Sequence, residues 1–376
     1  MPLIPEEISP RFCDFSGEPY IPSREEKERV KVLINELIST LKKLFAGYDA
    51  QIAPVGSTAK DTFLAGDHDI DIYILSDRYR DLYELASAAF PEGHQKHGEL
   101  LIWNFRYKGC DVDLVFVPPD YEKRDTIYHT QFYLEHLTEK DRNEVRKAKA
   151  FFKSHGVYGA EVGGIVGVAI EELVRKYHTL ENICRLFLEN ELEDLWLQDP
   201  VLDRPRNLLA SITKSKYRKI REACRKYLET GTFEYKKYTL EDFIGEHGDY
   251  KFVKCDRKFD RATDYNTSVS VCRSVGRLLK NLDSDIEFEC ESYVNDEVVI
   301  AFKTQDELPP KKEICIPKHL EHAIEGFVKK HPGVELYEKD GYICGLVDRK
   351  VRFSSEKMEE MIIDKMEKRG YSCSIF

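Results

Sequence analysis

The chain has 376 residues, 42% of them hydrophobic and 11% aromatic, enough for about two to three domains with cores of their own. Its net charge of −11 excludes a surface coated throughout in positive charge, although a nucleic-acid binder needs only a local basic face. The stretch from Met1 to Tyr20 holds prolines and acids where a secretion signal needs a basic start and an apolar run. No segment approaches the ~18 apolar residues of a membrane span, so a soluble, cytoplasmic protein without membrane partners is expected. Ten cysteines occur without a C-x-x-C pair, and reduced thiols with no structural zinc are the reading.

After Pro22, Ser23 and Glu26 form a capping-box signature, followed by Val30, Leu33, Ile34, Leu37, Leu41 and Leu44 at helical spacing, which predicts a long amphipathic helix. From about Gln51 the texture shortens to QIAPVGS, DHDIDIYIL, LLIWNFRYKG and CDVDLVFVP, with the helical YRDLYELASAAF among them. Strands with helices between them predict a small mixed α/β sheet. His94 and His97 make an H-x-x-H in a glycine-bearing loop with no third ligand nearby, and read as solvent-facing.

From about Thr126 the pattern is consecutive helices, including NEVRKAKAFFKSHG, the segment after Gly163 and Gly164, and TKSKYRKIREACRKYLETG, which Gly231 is placed to cap. Between Arg204 and Lys226, nine basic residues face a single acid, Glu222. In the last helix Lys214, Arg218, Arg221 and Arg225 fall on one side, while Ile220, Ala223, Cys224 and Tyr227 form a core stripe on another. The basic stripe reads as a surface for a phosphate backbone, or as a solvated face. Past Thr232, YKFVKC, DIEFECESY and EVVIAF read as strands, and VCRSVGRLLKNL and LEHAIEGFVKK as helices. The expected division is therefore a mixed-sheet domain over 1–125, a helical domain over 126–231 and an α+β domain over 232–376.

The chemistry lies in GSTAKDTFLAGDHDIDIYIL and CDVDLVFV. Asp69 and Asp71, two apart in a strand, project from one face, and Asp113 joins them if its strand is a neighbour. Three carboxylates on one face repel unless cations sit between them, and hard oxygen ligands suit magnesium, which also bridges triphosphate oxygens. Gly56 and Ser57, between a strand and a short helix, are placed to cradle a phosphate, with a hydroxyl from Ser57 and a charge from Lys60.

This order of elements resembles the nucleotidyltransferase superfamily shared by polymerase β, poly(A) polymerases and CCA-adding enzymes, and within it the archaeal, class I CCA-adding tRNA nucleotidyltransferases. The likeness runs from about Val55 to Tyr227. The NEVRKAKAFFKSHGVYGAE segment resembles the family motif in which a Lys touches the triphosphate and a Tyr lies near the incoming nucleotide, roles that map to Lys149 and Tyr158. On helix periodicity alone, those two are a surface Lys and a packed Tyr. The DPVLDRPRN segment resembles the D-P-V-D…R-N motif, whose Arg helps read the base; that role maps to Arg206, otherwise a surface Arg paired with Asp203. The sequence departs from the family in having Asp69 where Glu is usual, Lys60 for Arg, DTIYHTQFY for D-R-T-x-F-H-H, and VGG for a longer basic segment.

The resemblance implies a polymerase β-like fold with a central helical domain and an RNA-binding C-terminal domain. It also implies addition of C, C and A to a tRNA 3′ end from CTP and ATP, with Asp69, Asp71 and Asp113 holding two Mg2+ ions. The family commonly forms homodimers. Alternatives on the same scaffold are a poly(A) polymerase or an oligonucleotide synthase, and, in another class, a catalytically silent RNA-binding relative.

Overall fold

The computed structural model describes residues 17–96, 100–121, 125–256, 261–282, 286, 288–294, 297–304, 310–348 and 355–375. The chain divides into two compact units, one from Met1–Phe243 with Phe259–Thr263, the other from Ile244–Lys258 with Asp264–Phe376.

The first unit opens with α1 (Arg24–Leu44), where Ser23 Oγ accepts the Glu26 N–H at 3.1 Å and Val30, Leu33, Ile34, Leu37 and Leu41 are buried. The Glu26 carboxylate does not return the bond as the capping-box signature suggests; it accepts the Gly66 N–H at 2.8 Å. Next come β1 (Gln51–Val55), the short α2 (Gly56–Ala59), β2 (Asp69–Leu75), α3 (Tyr79–Ala89), β3 (His94–Lys96), β4 (Leu101–Tyr107) and β5 (Cys110–Val117). These strands make a five-stranded mixed sheet in the order β1-β2-β5-β4-β3, with β2 and β5 parallel and the other pairs antiparallel. Alternation divides each central strand between two faces. Ile70, Ile72, Ile74, Val112, Leu114 and Phe116 pack in one core with α1 and α3 residues, and Tyr73, Leu75, Val115 and Val117 pack on the other face. β3 is not anticipated by its sequence; His94 lies on it, exposed as expected, and His97 lies outside the described residues.

Helices α4 (Asp125–His136), α5 (Glu139–Ser154), α6 (Gly167–Tyr177), α7 (Leu180–Glu189) and α8 (Lys214–Thr230) follow, sharing a second core built around Phe151, Phe152, Leu173 and Phe187. The capping box that does form is on α5, between Thr138 and Asp141. α5 is buried on nearly every side, so its polar residues need internal partners. Arg146, fully buried, donates to Phe63 O at 3.0 Å and Asn143 Oδ1 at 2.7 Å, tying α5 to the loop after α2. Gly231 ends α8 with φ +72° and donates its N–H to Tyr227 O, as its position in the sequence suggests. Helix α9 (Leu240–Glu246) follows.

The second unit holds β6 (Lys251–Cys255), α10 (Arg261–Leu282) from Asp264 onward, β7 (Phe288–Val294), β8 (Val298–Thr304), β9 (Lys311–Pro317), α11 (Glu321–Lys330), β10 (Leu336–Lys339), β11 (Tyr342–Asp348), α12 (Ser355–Glu367) and β12 (Cys373–Ile375). They form two antiparallel sheets, β12-β6-β8-β7 and β10-β11-β9, the α+β texture the sequence predicts. The cysteines differ from expectation: Cys255–Cys373, Cys272–Cys290 and Cys315–Cys344 are disulfides. Two of these join residues directly opposite on paired strands, a register that spacing along the chain does not reveal. Among the described residues no helix is long and apolar enough to cross a membrane.

Candidate active site

Parallel pairing of β2 with β5 sets Asp69 opposite Asp111 and Asp71 opposite Asp113. All four side chains fall at alternate positions, on the sheet face away from α1 and α3. Asp71 is the most enclosed, and its pKa is pushed up to about 7, first by burial and then by the charges of Asp113 and Asp69. Asp69 is raised by the same causes, burial before Asp113 and Asp111. The site therefore concentrates negative charge that the protein only partly neutralises, and its hard oxygen donors fit a divalent cation such as magnesium.

Asp113 is held by Lys96 Nζ at 2.6 Å and by Asn104 Nδ2 at 2.7 Å. Consistent with that engagement, among the described residues the three carboxylates do not draw within 4.8 Å of one another as a group. The cluster that does so is Glu313 with Cys315 and Cys344, whose sulfurs are already joined to each other. Asp111 stands apart, its side chain half-exposed and 3.5 Å from Arg106.

Gly56 directly follows β1, whose Val55 pairs with Asp71, and it has φ +76°. A Cβ there would meet Asp71 Oδ2 at 2.2 Å, so the close approach of backbone to carboxylate needs glycine for both space and conformation. The Gly56 N–H points to Thr130 Oγ1 at 3.4 Å, and Ser57 follows, half-buried.

Lys60 and Lys149 meet on a residue that sequence reasoning missed. Both ammonium groups reach the carboxylate of Glu171 on α6, at 2.5 and 3.3 Å, and all three residues are buried. Lys149 is therefore no surface lysine; it also donates to Thr62 O at 3.1 Å and to Thr62 Oγ1 at 3.0 Å. Burial lowers its pKa to about 8, with Glu171 opposing the fall. Burial pushes Glu171 upward, but the two lysines outweigh it and hold the carboxyl below its usual range. Tyr158 closes the same wall: its hydroxyl and the end of Lys149 both lie beside Gly167, 3.1 and 3.7 Å from where a Cβ would stand. Burial raises the Tyr158 pKa, so the group is a neutral hydroxyl. Lys60 directly follows α2, whose first residue, Gly56, lies against the Asp71 carboxylate, so α2 links this cluster to the carboxylates.

Arg206 is paired, but not with Asp203. Its Nη1 lies 2.5 Å from Asp125 Oδ2 and 3.4 Å from Asp199 Oδ2. The DPVLDRPRN loop is closed by the Asp199 N–H donating to Arg206 O at 2.9 Å, and Asp199 itself is buried against His129 Nε2 at 2.9 Å. His129 sits in the DTIYHTQFY stretch, now helix α4, so two motifs remote in sequence lock together. Asp125 also acts electrostatically on Tyr73, two residues along β2 from Asp71 and on the same face.

A mixed sheet that presents carboxylates from a D-x-D strand and its parallel neighbour, beside a glycine-serine turn, is the arrangement of a nucleotidyltransferase domain. The family model for that domain matches residues 34–137, and the model described as tRNA nucleotidyltransferase, second domain, matches residues 143–237. A CCA-adding enzyme of Thermoplasma acidophilum is 32% identical over 189 residues, covering 45% of this chain and 83% of that one. Another from the same species is 30% identical over 243 residues, 56% of this chain and 55% of that one. The enzyme of Thermococcus gammatolerans is 35% identical over 212 residues, 50% of this chain and 44% of that one. The chain belongs to the CCA-adding tRNA nucleotidyltransferase family. It spans about half the length of most of the curated relatives it matches. Among solved structures, the Cid1 poly(U) polymerase bound to MgATP aligns over 57% of this chain and 93% of that one, at 14% identity and a TM-score of 0.47.

Proposed function

We propose that the protein transfers nucleotides to the 3′ end of tRNA, adding C, C and A from CTP and ATP and releasing pyrophosphate. The observation that supports this most is the register that puts Asp71 opposite Asp113, with Asp69 on the same face. Asp69, Asp71 and Asp113 would hold two magnesium ions, which supply the positive charge needed by an attacking 3′ hydroxyl and a departing pyrophosphate. Gly56 and Ser57 would hold the triphosphate by backbone N–H and hydroxyl. Lys60, Lys149 and Tyr158 would form the wall that positions triphosphate and sugar, with Glu171 fixing both lysines. Arg206 would read the base. No side chain is needed as a proton base, so positioning and charge neutralisation supply most of the rate enhancement.

In this reading residues 1–125 are the catalytic domain, 126–231 bind nucleotide and primer, and 232–376 grip RNA. Asp113→Asn tests the assignment: transfer of labelled CTP to a tRNA transcript should fall by at least about a thousandfold, given that neutralising charge is the main catalytic effect. Near-normal transfer by the folded variant would overturn it.

A further inference from the structure

We propose that Lys96 is a displaceable counterion of the carboxylate site: its ammonium holds Asp113 until a divalent cation takes its place, and so it sets how much of that cation the site needs. This rests on Asp69, Asp71 and Asp113 holding divalent cations, and it gives a role to a residue outside that set. Strand register brings Lys96 to the site. Asp71 pairs with Asp113, Asp113 with Asn104 and Asn104 with His94, which makes one row across four strands. Lys96 stands two residues beyond His94, so alternation turns its side chain to the same face, in the next row. From β3, two strands away from β5 at about 5 Å per strand, a long side chain is needed to reach the carboxylate, and Lys96 Nζ lies 2.6 Å from Asp113 Oδ2. The pair stays open to solvent, with the Lys96 side chain 36% exposed and that of Asp113 18%.

The two partners of Asp113 differ in how they tolerate a cation. Asn104 Nδ2 donates to Asp113 Oδ1 at 2.7 Å and to Val112 O at 3.4 Å. It is neutral, and a carboxylate that accepts about four bonds can keep it while also binding a metal ion. Lys96 puts a full positive charge on the other oxygen, and a divalent ion on the same carboxylate would repel it strongly across a partly buried contact. One of the two cations must leave. Asn104 therefore orients Asp113, whereas Lys96 competes for it. In return, Lys96 offsets part of the repulsion among carboxylates that share one face, which lets the cluster stand before a cation arrives.

The test titrates the full chain, without nucleotide, with Mn2+ as the probe and reads free Mn2+ by electron paramagnetic resonance, a readout that does not depend on turnover. Lys96→Met, which keeps the length and removes the charge, should bind Mn2+ on the order of tenfold more tightly than wild type. Lys96→Arg, which retains the charge, should stay close to wild type, and Asn104→Ala should not tighten binding. Lys96→Gln keeps the test intact if the Met variant folds poorly. Neutral variants at Lys96 whose Mn2+ affinity is unchanged or weaker would overturn the proposal, as would equal tightening by Asn104→Ala. Asp71→Asn separates that failure from failure of the site itself: it should weaken Mn2+ binding, and binding that it leaves unchanged would overturn both the cation assignment and the role of Lys96.

Discussion

Gly56 and Asp71 approach so closely that a single methyl group on the glycine would lie 2.2 Å from the carboxylate oxygen. The same glycine has φ +76°, which a side chain rarely adopts. Gly56→Ala must therefore displace either the turn or the carboxylate, and we expect nucleotide transfer to fall on the order of a hundredfold, as misplacement of about 1 Å can cost. Incorporation assays alongside circular dichroism check this; the helical signal should be unchanged.

Glu171 is the shared counterion of two buried lysines. Removing one partner of a buried ion cluster leaves charge uncompensated, so Glu171→Gln should lower unfolding stability by about 3 kcal/mol. By contrast Glu193, fully in solvent with Lys214, should be replaceable by Gln with no measurable change in the urea midpoint. Equal effects of the two substitutions would refute the distinction.

Glu144, on α5, faces the start of α7, where one of its oxygens accepts the Leu180 N–H at 3.3 Å and the other is buried without a hydrogen-bond partner. Burial raises its pKa to about 7. A folded-state pKa above the unfolded value of about 4.3 means stability that is complete below that value and is lost as pH rises through 7. Glu144→Gln removes the cost of ionisation, so its melting temperature relative to wild type should rise between pH 5 and pH 8 and level off above. A constant difference over that range would contradict the assignment.

On α8, Lys214 and Arg221 are paired with Glu193 and Glu191, whereas Arg218 and Arg225 are exposed. If that face touches RNA phosphates, Arg218→Glu with Arg225→Glu should weaken tRNA binding for every sequence and make the dependence of log affinity on log salt shallower by about one per lost contact. Filter binding across a salt series measures both.

Much of this was legible in the residues because it follows from local periodicity. Alternation in DIDIYIL and CDVDLVFV gives both the strands and the carboxylate face, and the apolar spacing after Ser23 gives α1. Pairing between remote segments is not written in any local pattern. Lys96 and Asn104 on Asp113, Asp125 and Asp199 on Arg206, and Glu171 beneath Lys60 and Lys149 are all contacts made by tertiary packing. A faint signal for Glu171 existed, since it interrupts the apolar run of GVAIEELV, where a buried acid needs a cationic partner. The cysteines misled because Cys255 and Cys373, 118 residues apart, meet only when β6 and β12 pair.

The most direct measurement incubates the protein with magnesium, labelled CTP and ATP, and tRNA transcripts ending before the first C, before the second C and before A, and sequences the 3′ ends. Ordered addition that stops at CCA on each transcript is the predicted result. Homopolymeric tails, products made without a primer, or no transfer at all would contradict it.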